Sequence, residues 1–166
     1  MSKNIYSLVQ SLIPELKQPL ESEQADFDYF RDWLNQDAEY FHYIELKEYF
    51  DNGIDENYYF KKFDVNTQQL NHDIDQQLSN LFEQNEEGFE QALFDQEMDL
   101  MEHTETILFD NIKKVAEEHQ LSLLVVYREN PYWLLLPTQN QQQLEMIVQE
   151  FNQAFNDDGD LNVAIY

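Results

Sequence analysis

Apolar residues recur every three or four positions through most of the first 119 residues, then give way to short continuous apolar runs. The first regime predicts amphipathic helices and the second predicts strands. Ile5, Leu8, Val9, Leu12 and Ile13 place a short helix within residues 4–18, bounded or bent by Pro14 and Pro19. Ser22 is the expected N-cap of the next helix, with Glu23 in its first turn. There Phe27, Tyr29, Phe30, Trp33 and Leu34 share one broad arc, and Asp28, Arg31, Asp32 and Asn35 take the other side.

Residues 39–51 do not continue that arc. On the same wheel Tyr40, Tyr43, Leu46 and Phe50 fall where Asp28 and Asp32 stood, which predicts a break at 35–37 and a new helix capped by Asp37. A strand competes, since Tyr40, His42, Ile44 and Leu46 alternate with Phe41, Tyr43, Glu45 and Lys47. The turn signal Asp51-Asn52-Gly53 and the β-prone Tyr58-Tyr59-Phe60 leave a hairpin open. The preferred reading is helix, turn, then irregular chain.

A helix starting at Asn66 or Thr67 carries Leu70, Ile74, Leu78, Leu81 and Phe82, with a turn expected over 84–88. A long helix is predicted over 89–119, with Leu93, Leu100, Met101, Leu108, Ile112 and Val115 on one arc. Lys113 and Lys114 suit its C-terminal end. Strands are predicted over 121–127 and 132–136 around the turn Glu129-Asn130-Pro131. Thr138 is the expected cap of a helix carrying Leu144, Ile147, Val148, Phe151 and Phe155, and a last strand follows over 161–166. The prediction is an α+β fold: a helix-rich N-terminal two-thirds packed with a small C-terminal β-β-α-β sheet, the helices on one face of it. No internal repeat or linker divides the chain, so residues 1–166 are read as one acidic globular domain.

Composition sharpens this picture. Forty-two per cent hydrophobic residues, 12 Phe and 10 Tyr disfavour disorder, and three Gly with four Pro disfavour a many-turned β-sandwich. There is no Cys, so disulfides and thiolate chemistry are excluded. The N-terminus lacks a signal-peptide pattern and the apolar runs are too short to span a membrane, so a cytoplasmic protein without membrane association is expected.

Charge changes the picture most. Nine basic against 34 acidic side chains give a net charge of −25, and the first 100 residues hold six basic and 23 acidic groups. Direct nucleic-acid binding is not expected, because phosphate contacts need Lys and Arg. The physical complement of such a surface is a basic protein or a set of cations.

Chemistry-bearing motifs are few. Glu39-x-x-His42 has the spacing with which one helix face ligates a metal, but no second such pair accompanies it. Glu39 and His42 are therefore only weak metal candidates. The sequence Asn156-x-Asp158-Gly159-Asp160-x-Asn162 alternates oxygen ligands, yet its Gly is fourth rather than sixth and the bidentate Glu of a calcium loop is missing. No Gly-rich phosphate loop or nucleophile elbow occurs. No cofactor and no catalytic residue is expected.

The acidic, aromatic stretch remains. Asp37, Glu39, Tyr40, Tyr43, Glu45, Glu48, Tyr49, Asp51, Asp55, Glu56, Tyr58 and Tyr59 are the expected partner-binding residues. Tyrosines supply buried contact area while tolerating a wet rim, and carboxylates steer a cationic partner. The expectation is a non-enzymatic acidic binding protein that neutralises a basic partner. In physical style it is similar to immunity proteins against nuclease toxins and to DNA mimics, with no family motif shared. Two alternatives accompany it: a metal-dependent helical enzyme using Glu39 and His42, and a structural or oligomerising protein whose charge serves solubility alone. Oligomeric state is not predicted.

Overall fold

The fold is that of a computed structural model, which describes residues 4–20, 26–44, 54, 57–85, 96–128, 130–155 and 161–166. Among them are six helices and four strands. Helix α1 (Ile5–Leu12) starts where the Asn4 side chain accepts the Ser7 N–H, and it buries Ile5, Tyr6, Leu8 and Val9. Helix α2 (Phe27–Leu34) buries Phe27, Phe30, Trp33 and Leu34, as its arc predicts. Its cap is Asp26, not the expected Ser22: the Asp26 carboxylate accepts the N–H groups of Asp28 and Tyr29. The aromatic seam is continuous, with Tyr6 edge-on to Phe30 and Trp33 at 5.3 and 4.9 Å.

After α2 the chain forms a strand, β1 (Phe41–Tyr43), where helix was preferred. Tertiary pairing overrides the helical wheel here. The outer side of β3 (Tyr132–Leu136) offers backbone groups that need partners, and Phe41, His42 and Tyr43 register with Leu134, Trp133 and Tyr132. The β-prone Tyr58-Tyr59-Phe60 instead begins a short helix, α3 (Tyr58–Lys62), because the Asn57 side chain caps it by accepting the Tyr59 N–H at 2.9 Å. Helices α4 (Thr67–Asn85) and α5 (Gln96–Glu118) pack on each other. The first runs through part of the turn expected at 84–88, and the expected start of the second at residue 89 lies outside the described residues.

The C-terminal part follows the predicted order: β2 (Ser122–Tyr127), β3, α6 (Gln141–Ala154) and β4 (Asn162–Ile165). Asn140 caps α6 by accepting the Gln143 N–H, and Thr138, the expected cap, instead accepts the Asn140 N–H. The sheet order is β1-β3-β2-β4, antiparallel throughout. Strands β3 and β4 therefore run parallel to each other across β2, with α6 as the crossover between them.

Helices cover both faces of this sheet, where one face was expected. Register puts Phe41, Tyr132, Leu134, Leu124 and Val126 on one side. There Phe27 packs edge-on against Phe41, Tyr132, Phe151 and Phe155, which brings in α2 and α6. The other side carries His42, Trp133, Leu135, Leu123 and Val125. Phe60 of α3 lies 6.0 Å from Trp133, and Phe109 of α5 lies 5.5 Å from the ring of Tyr166. The physical reason is visible in β2 and β3, whose runs LLVV and WLLL are buried on both sides and would expose apolar surface if either helical layer were missing. One cluster of buried residues joins all the layers. No helix among the described residues is long and apolar enough to cross a membrane.

Candidate partner-docking surface

The acidic, aromatic stretch is shaped by two asparagines. Asn35, at the end of α2, turns its side chain onto the outer edge of β1. Its Oδ1 accepts the N–H groups of Tyr40 and Phe41 at 3.0 and 2.9 Å, and its Nδ2 donates to the Phe41 carbonyl at 2.7 Å. One carboxamide thus does for this edge what a neighbouring strand would do. Asn57 ties the start of α3 to the same strand. Its Oδ1 is engaged by Tyr59, so its Nδ2 points to His42 Nε2 at 2.9 Å and to the Tyr40 carbonyl at 3.3 Å. An amide N–H donates, so the ring nitrogen facing it accepts. The Tyr58 N–H closes the arrangement by donating to the Glu39 carbonyl at 2.8 Å.

This framework sorts the predicted residues. Asp37 and Glu39 are exposed, and Asp37 pairs with Lys17 at 2.9 Å. Tyr43 is 47% exposed and leans on Tyr132 at 5.2 Å. Tyr58 is half-buried, with the Lys62 ammonium 5.8 Å above its ring. Tyr40 and Tyr59 belong to the core instead, at 3% and 4% exposure, although a wet rim was expected for both. Their rings meet at 5.8 Å and Tyr40 meets Tyr58 at 4.7 Å. Burial pushes the Tyr40 hydroxyl up to about 12, with Tyr58 and Glu15 adding to the shift. It holds the Tyr59 hydroxyl well above the ordinary tyrosine range, reinforced by Tyr40 and Glu15. Glu45, Glu48, Tyr49, Asp51, Asp55 and Glu56 lie outside the described residues.

The Glu39/His42 metal geometry does not form. The i, i+3 spacing brings two side chains together only on a helix, whereas His42 lies in β1 and Glu39 in the irregular chain before it. His42 is 6% exposed and stacks on Trp133 at 4.6 Å, while Glu39 faces solvent. Among the described residues no three His, Asp or Glu side chains gather as a metal group would. The Asx-rich stretch at 156–160 lies outside the described residues.

Among the described residues the other carboxylates stay outside. Every carboxylate side chain whose burial is described is exposed or half-buried. Glu105 is the most burdened: burial, then the neighbouring Glu102, raise it above the usual carboxylate range. Tyr166 donates to Asp110 at 3.0 Å, and burial and that bond hold its hydroxyl protonated far into the alkaline range.

Sequence reasoning missed Asn35, Asn57 and Trp133 as the residues that position this surface. Asn57 had a readable signal, an Asx residue directly before an aromatic run, which is also how a helix begins. Asn35 had none, because its partners lie on a strand whose existence depends on β3. Compared with protein-family models, with curated proteins and with solved structures, the chain matches none of them.

Proposed function

We propose that this chain is a non-enzymatic acidic binding protein that neutralises a basic protein, of the kind represented by a nuclease-like toxin or another nucleic-acid-binding factor. The observation that carries the reading is a net charge of −25 in a chain whose described carboxylates are all exposed or half-buried. The described carboxylates lie at or near the surface, and the basic side chains engaged with them, such as Lys17 with Asp37 and Arg31 with Asp28 and Asp32, sit at the surface too. Such a field raises the encounter rate with a cationic partner and opposes the compactness of the chain that carries it. Asp37, Glu39, Tyr43 and Tyr58 are the described members of the proposed docking surface, and Tyr43 is its aromatic anchor. The proposed compartment is the cytoplasm. A DNA-mimicking version of the same reading requires duplex DNA to compete for the partner.

The test is capture from a native cell lysate at about 0.01 M and about 0.15 M ionic strength, where screening lengths are about 30 and about 8 Å. A basic protein should be retained in a fixed ratio, lose its activity on titration to one equivalent, and be released by added salt. Recovery of no basic partner at the lower ionic strength overturns the proposal.

A further inference from the structure

An open groove of about 390 Å³ runs between the turn joining α3 to α4 and the C-terminal end of α5. Its lining is divided by chemistry. Val65 and Val115 give it apolar surface, and Asp64, Asp73 and Glu118 supply three carboxylates. One side is aromatic: Phe63, 38% exposed, lies flat on His119 at 4.9 Å with 7° between the rings. Phe63 is also near-parallel to the buried Tyr59 at 6.4 Å, so the pair is anchored from inside. Asp64 takes the left-handed backbone region, φ 52°, in the turn that follows. Lys114 is the cation of the lining.

We infer that this groove receives one long cationic side chain, arginine in the first instance, from the basic partner of the proposed function, on which this inference rests. The match is amphipathic. A Lys or Arg side chain has an apolar stem and a charged head, so it requires apolar surface beside carboxylates and not either alone. The guanidinium is planar and weakly hydrated, which favours it over an ammonium beside the flat Phe63/His119 pair. The C-terminal end of α5 adds a partial negative charge from its last carbonyls. An acidic side chain is repelled here, and an aliphatic one adds no cation to a lining that holds three carboxylates beside Lys114.

Amide NMR titration of the full chain at low ionic strength tests this with three short peptides. One is tri-arginine, the second is tri-citrulline with the same stems and no charge, and the third is tri-diaminopropionate with the charge and almost no stem. Tri-arginine should shift resonances of Phe63, Asp64, Val65 and His119 first, and tri-citrulline should shift none. Tri-diaminopropionate should spread its effects over the acidic surface. Phe63→Ala should weaken the arginine peptide about two-fold, the loss of about 20 Å² of apolar wall along the stem, with Phe63→Leu in between. Asp73→Asn should weaken it about two-fold, and Lys114→Gln should strengthen it by a similar factor. If tri-arginine and tri-diaminopropionate act alike, scattered and unmoved by Phe63→Ala, the groove is overturned while acidic binding stands. If neither cationic peptide binds at all, both fail.

Discussion

Replacing Asn35 by alanine removes three hydrogen bonds through one side chain. The N–H groups of Tyr40 and Phe41 lose their shared acceptor, and the Phe41 carbonyl loses its donor. A typical bond of this kind is worth about 1 kcal/mol net, so complete burial would set the loss near 3 kcal/mol. Asn35 is half-buried, and water reaching the freed groups recovers part of that. The expected loss is about 2 kcal/mol, against about 0.5 kcal/mol or less for an ordinary surface change. With a urea slope of about 2 kcal/mol/M, the unfolding midpoint should fall by about 1 M. Asn35→Asp keeps the acceptor and loses the donor, so it should fall between the two. Hydrogen exchange at the Tyr40 and Phe41 amides should quicken more than exchange in β2, because the damage is local to the edge strand. A midpoint within about 0.25 M of the parent, on the same slope, would refute the claim that this carboxamide holds β1 in place.

Other outcomes follow from the same structure. Trp133→Phe should cost far less than Trp133→Ala, about 1–2 against about 3–5 kcal/mol, since the buried indole N–H has no acceptor among the described residues and only volume is lost; thermal unfolding of both variants checks this. Stability should hold up to about pH 10 and then fall through about pH 12. A hydroxyl raised from 10 in the folded chain, as in Tyr40, favours folding only while it stays protonated, and the unfolded chain loses its protons first. Absorbance at the tyrosinate band should therefore rise in two stages, the second coinciding with loss of far-ultraviolet circular dichroism. Salt should act with opposite signs on folding and on binding: added sodium chloride raises Tm by screening the −25 charge and weakens capture of a basic partner.

The helical arcs of α1, α2, α4 and α6 were readable because each rests on residues three and four apart, a spacing that local backbone geometry turns into a face. Phe27, Phe30, Trp33 and Leu34 are the clearest case, and all are buried. Caps were less readable. Asp26 and Asn140 each had a rival Ser or Thr nearby, and which side chain meets the free N–H groups depends on where the first turn closes. At the proposed docking surface, exposure of Asp37 and Glu39 was the reasonable default for a carboxylate. The division of four similar tyrosines, Tyr40 and Tyr59 inward and Tyr43 and Tyr58 outward, was not readable, because it depends on which ones another element covers.

That division marks the boundary between the two levels. Composition and local periodicity determined the helix-rich α+β class, the β-β-α-β ending and the excess of negative charge, since each is a property of short spans or of the whole sum. Tertiary structure decided that residues 41–43 become the edge strand beside Trp133, that helices close over both faces of the sheet, and that Tyr40 turns inward while Tyr43 stays out. Strand pairing and burial join residues about ninety positions apart, as Phe41 does with Leu134, and no local preference specifies which of several apolar or aromatic partners will arrive.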